Sequence, residues 1–134
     1  MSGPLVTPFI PASTSRLQRG HFWSLPLDNG RFGAGCVVGR FLGRDGKPSR
    51  RIFLAGVVAW AGSGPPTRVD LSGCRLLDHG FAHIKSILKT GGEILGTADL
   101  DFGDLPEAAE TLSLHTWGYG VPTVIAQEYA ATHS

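Results

Sequence analysis

The sequence predicts an α+β domain: a curved antiparallel β-sheet, open or closed into a small barrel, covered by about two helices. Three observations lead there. Apolar residues alternate with a period of two on both sides of the turn "DNG" at 28–30. Nineteen glycines and nine prolines in 134 residues favour short, turn-bounded elements over a helical bundle. Apolar residues at helical spacing recur over 77–89 and again after Pro122. The length suits one domain with a modest core. The reading divides the chain into a loosely ordered lead-in, 1–18, and a single domain, 19–134.

In the lead-in, Pro4, Pro8 and Pro11 interrupt every apolar run and the start carries no basic residues, so no signal peptide is expected. Leu5, Val6, Phe9 and Ile10 are expected to lie against the domain. The first strand spans 20–27, with His21, Trp23, Leu25 and Leu27 on one face. Pro26 donates no ladder hydrogen bond, so this is an edge strand or Pro26 ends it. The second strand, 31–42, sets Phe32, Ala34, Cys36 and Val38 on one face. The other face carries Gly33, Gly35, Val37 and Gly39. A glycine face lets a ring or another backbone lie directly on the sheet, and Trp23 or Trp60 is expected to cover it.

After the turn "GRDGKPSR" at 43–50 comes the most apolar run, 51–61, read as a central strand buried on both faces. Strand, turn and strand in succession predict an antiparallel meander. A helix is expected over about 77–89, stopped by Gly91 and Gly92. "GGEILGTADL" reads as a short strand with a turn, Pro106 as the start of one helical turn, and the segment from Pro122 as a terminal helix.

Residue chemistry excludes more than it proposes. The net charge of +1 is too small to argue for nucleic acid or an anionic membrane. No run approaches the ~20 apolar residues of a membrane span. Cys36 and Cys74 lack metal or disulfide-framework spacing and are read as reduced, buried thiols. His79 and His83 at i and i+4 on a helix invite a metal site, but no Glu lies in the pattern and no third ligand is at hand. Asp78 beside His79, with Ser86 or Cys74 as nucleophile, fails as a triad because adjacent helical residues diverge by about 100°. Asp99, Asp101 and Asp104 do not meet the calcium-loop pattern, and the glycines of "GRFGAGCVVGR" lie within a strand rather than before a helix. No catalytic residue, metal or cofactor is expected. One charge feature remains: Arg40, Arg44, Lys47, Arg50 and Arg51 surround the second hairpin turn, opposed only by Asp45.

The stretch "GHFWSLPLDNGRFGAGCVVGR" resembles the N-terminal hairpin of the immunity protein 26 family, bacterial proteins that neutralise polymorphic toxins by binding them. The matching residues are Gly20, Phe22, Leu25, Pro26, Leu27, Asn29, Gly30, Phe32, Gly33 and Gly35. Ile94 and Gly96, and Trp117 with Gly118, resemble later family segments, whereas Gly91–Gly92 replaces a family tryptophan. The resemblance implies a mostly β domain with no catalysis, a cognate protein toxin as partner, and a cytoplasmic location. It transfers no contact residues. The contact surface is expected from the sequence itself, at Arg44, Lys47, Arg50 and Arg51 on the hairpin and at the aromatics Trp117 and Tyr119. Membrane and nucleic-acid partners are not expected. The alternative reading is a nucleic-acid or ligand-binding β-module using the basic hairpin at 40–51; a hydrolase or metal enzyme built on Asp78, His79 and His83 ranks behind both.

Overall fold

The computed structural model describes residues 7–110 and 116–133. It is α+β, as expected. Strands β1 (His21–Pro26), β2 (Phe32–Leu42), β3 (Pro48–Val58) and β4 (Leu76–His83) form an antiparallel meander. The chain then crosses to the far side of β1, where β5 (Gly96–Thr97) pairs, giving the order β4-β3-β2-β1-β5. The short β6 (Ala108–Ala109) runs parallel to the end of β2, opposite Arg40 and Phe41. Phe53 of β3 already pairs with Arg40 on one side, so β6 takes the side that β1 has vacated. Among the described residues the sheet does not close into a barrel. β4 and β5 stand at opposite ends of the path, and register shifts at Val37/Gly39, Arg40/Leu42 and Val57/Val58 bend it instead.

The first turn forms as its residues require. Asn29 (φ 61°) and Gly30 (φ 70°) both take left-handed conformations, which Asn and Gly tolerate best. Pro26 ends β1 rather than marking an edge, since β1 lies between β2 and β5.

Both faces of the sheet are covered. On one, Trp23, Leu25, Val37, Phe53, Ala55 and Val57 form a core with Leu17, Ile84, Ile87, Ile94 and Ala126. On the other, Phe22, Ala34, Cys36, Val38, Leu54, Val58 and Phe81 pack with Leu71, Ala98 and Leu100. β3 is therefore buried on both sides, as its unbroken apolar run predicts. Among the described residues one helix is substantial, α3 (Val121–Thr132). α1 (Arg68–Leu71) and α2 (Lys85–Leu88) are single turns. Arg31 clamps the end of α3: Nη1 donates to the Ala130 carbonyl at 2.5 Å and Nη2 to that of His133 at 2.9 Å.

The glycine face is a packing device. A Cβ on Gly35 would strike the Trp23 ring, and one on Gly33 would come within 2.7 Å of the Ala126 Cβ on α3. Gly39 lies against the backbone at Glu107, whose carbonyl accepts the Arg40 N–H at 2.8 Å. The face that gives up its side chains is thus filled by a ring, a helix and a crossing backbone.

Three expectations need correction. The helix over 77–89 is a strand up to His83, followed by the single turn α2. Val57 pairs with Asp78 and Val58 with Leu76, which leaves Leu77 as the extra residue of a β-bulge; the period of two is broken there, and the apolar residues of the strand and of α2 together imitate helical spacing. Pro106 starts no helical turn; the chain there leads straight into β6. Residues 7–18 are docked rather than loose: Phe9 and Ile94 exchange both backbone hydrogen bonds (3.0 and 2.8 Å), and Leu17 is in the core. Ile10 is exposed, and Leu5 and Val6 lie outside the described residues.

Candidate functional site

The basic hairpin has two parts. Its tip, residues 43–47, is a tight turn closed by the Gly43 N–H on the Lys47 carbonyl (2.9 Å) and the Lys47 N–H on Asp45 Oδ1 (3.0 Å). Arg44 and Lys47 are exposed there. The second part is an irregular loop of β3. Between the pairs Arg40–Phe53 and Leu42–Pro48, β3 spends four residues where β2 spends one. The Ser49 hydroxyl holds this loop, accepting the N–H groups of Arg51 (3.2 Å) and Ile52 (3.1 Å), while Thr14 Oγ1 donates to the Ser49 carbonyl. Arg50 and Arg51 are pushed out to solvent by it.

Across the sheet, Ile52 pairs with His83 and the Ile84 N–H donates to the Arg51 carbonyl at 2.7 Å. This places the bulge beside the β4–α2 junction. Arg50, Arg51, His83, Lys85 and Leu88 line one open cavity of about 410 Å³ with Ala12 and Ser13. His83 Nδ1 accepts the Lys85 N–H at 3.1 Å, so in the neutral ring the proton sits on Nε2. Partial desolvation, then the charges of Lys85 and Arg51, hold its pKa below the ordinary histidine value.

The 116–119 segment joins the same surface. The backbone N–H of Trp117 donates to the Phe81 carbonyl at 2.7 Å along the free edge of β4, and the Trp117 ring roofs Gly80, where a Cβ would meet indole atoms at 2.6–2.9 Å. Trp117 is only 8% exposed, so it is a core residue that fixes the segment and not a partner anchor. Tyr119, 40% exposed, stands edge-on to the His83 ring at 5.8 Å and beneath Lys89 Nζ at 5.0 Å. The hairpin and the aromatic loop, about 70 residues apart in sequence, therefore meet at His83. Sequence reasoning missed Lys85, Lys89 and Leu88 because it placed them on the tail of a helix.

The chemistry weighed against catalysis looks different on this fold. On a strand, His79 and His83 are separated by roughly 13 Å along the backbone, too far to share a metal ion. The Asp78 carboxylate accepts the His79 N–H at 2.8 Å, a local backbone bond. Ser86 is fully buried. Cys36 is buried and desolvation pushes its thiol up to about 12. Cys74, half-buried, is raised by burial and then by Asp70. Neither thiol forms a disulfide. A larger open cavity, about 1080 Å³, runs beside β5, where Arg19 stacks on Phe102 at 4.3 Å, donates to the Leu105 carbonyl at 3.0 Å and faces Glu107 at 3.8 Å. Among the described residues that is the one ion pair, so the cations around His83 stand without carboxylate partners. Among the described residues, no helix is long and apolar enough to cross a membrane.

No protein-family model, no curated protein and no solved structure matches the chain.

Proposed function

We propose that this domain is an immunity-type protein that neutralises a cognate bacterial toxin by direct contact in the cytoplasm, without catalysing a reaction. The likeness of the residue 20–40 hairpin to the immunity protein 26 family supplies the class of function. The observation that carries the reading in the structure is the meeting of Arg51, His83, Lys85 and Tyr119 on one exposed surface with no acidic partner of their own. Arginine and tyrosine are the side chains that most often anchor protein partners. They are displayed here on a bulge and a loop fixed by the sheet, so little order need be gained on binding.

The test is coexpression with the toxin domain encoded beside the gene. Growth should be restored, and the two chains should elute together as one complex. Continued killing in the presence of folded, soluble domain would reject the immunity reading. Protection without a complex would reject direct contact as its mechanism.

A further inference from the structure

The surface around His83 also specifies what should sit on it. Four cations, Arg50, Arg51, Lys85 and Lys89, come from the β3 bulge and from α2 with the residue after it; all are exposed and none is in an ion pair. Anion sites for phosphate are built largely from free backbone N–H groups. Here four of the nearest such groups are consumed internally. The N–H groups of Arg51 and Ile52 go to Ser49 Oγ, that of Ile84 to the Arg51 carbonyl, and that of Lys85 to His83 Nδ1. What remains is a set of long side chains fanned over a shallow cavity, flanked by two exposed apolar groups, Leu88 and Tyr119, each 40% exposed. Spread point charges beside an aliphatic and an aromatic flank complement several carboxylates on a protein segment better than one compact phosphoryl group.

The geometry points to an acidic segment of a protein partner, with carboxylates spaced along an extended chain, as the occupant of the notch formed by Arg50, Arg51, Lys85, Lys89, Leu88 and Tyr119. This rests on the immunity reading and names the chemistry of the partner's contact. It also moves the centre of contact from the hairpin tip, at Arg44 and Lys47, to the notch.

The probe is a hexaglutamate peptide ending in leucine, titrated into the ¹⁵N-labelled protein at low ionic strength. Amide shifts should saturate and concentrate at residues 50–51, 83–89 and 119. Two double variants remove the same two positive charges, Arg51→Gln with Lys85→Gln, and Arg44→Gln with Lys47→Gln. The first should weaken peptide binding about fivefold or more and the second by less than about twofold. Equal weakening by both, shifts centred on the tip, or no saturable shifts would overturn the assignment. So would tighter binding of inorganic phosphate or of a DNA hexanucleotide than of the peptide. The peptide titration and the toxin coexpression fail separately: protection without the notch preference sinks this inference alone, and a notch preference without protection sinks the immunity reading.

Discussion

Replacing Gly35 by alanine should destabilise the domain by about 1–2 kcal/mol, although glycine-to-alanine changes in strands usually help. An added Cβ would lie 2.5 Å from Cε2 and 2.8 Å from Cη2 of Trp23. Carbon contacts are comfortable from about 3.5 Å, so the ring must retreat by about 1 Å. It has little room to do so, being fully buried and edge-on to Phe53 at 6.0 Å. Overpacking of this kind costs about 1–3 kcal/mol, from which the stiffer unfolded chain returns about 0.4–1 kcal/mol. At an unfolding entropy of about 2.1 cal/mol/K per residue, the net loss lowers the melting temperature by about 4–7 °C. Thermal melts followed by circular dichroism measure it. Gly64→Ala is the control, because a Cβ there meets nothing within 4 Å, and its melting temperature should stay level or rise. In a Gly35→Ala background, Trp23→Phe should cost less than it does alone, since the smaller ring relieves the clash. A Gly35→Ala variant that melts with or above the parent would refute the view that Trp23 roofs the glycine face.

Other outcomes follow from particular contacts. His21 is buried, accepts the Gln18 N–H on Nδ1 at 3.0 Å, and is held below its ordinary pKa of 6.5 by desolvation. The unfolded chain therefore takes up a proton that the folded one resists. This stabilisation is complete above pH 6.5 and declines as the pH falls below it, so the melting temperature should drop between pH 7 and 5. His21→Asn, which keeps an acceptor but does not titrate, should flatten that slope; an unaltered slope would assign it to other groups. Arg31→Ala should cost about 1–2 kcal/mol and speed amide exchange over 126–132, because the Ala130 carbonyl, that of His133 just past the helix, and the negative end of α3 lose their cation. Exchange unchanged in that segment would show the clamp to be idle. A thiol reagent at pH 8 should leave Cys36 untouched and modify Cys74 slowly, whereas the unfolded chain should react at both. Rapid modification of two thiols in the native protein would contradict the buried placement of Cys36.

How much of this was legible depends on whether local or distant contacts decide each element. β1 and β2 can be read because the period of two and the Asn29–Gly30 turn are local signals, and α3 because its apolar spacing is uninterrupted. β4 cannot. Its bulge at Leu76–Leu77 breaks the alternation, and Gly80 looks like a flaw until Trp117 is seen roofing it. β6 holds only two residues and exists because β1 ends and frees the edge of β2. The cations of the hairpin stand out by density in the sequence. Lys85 and Lys89 join them only through the pairing of Ile52 with His83 and the docking of 116–119 along β4. Trp117, expected with Tyr119 on the contact surface, is buried instead, because glycine at 80 leaves room for its ring against the sheet.

The most direct test of contact neutralisation is titration calorimetry of the purified domain against the toxin domain encoded beside its gene. The expected result is a one-to-one complex, tight in the parent, weakened at least about tenfold by Arg51→Glu with Lys85→Glu, and much less affected by Arg44→Glu with Lys47→Glu, all variants keeping the parent's circular dichroism spectrum. No heat of binding from the folded parent, or equal affinities for parent and notch variant, would contradict it.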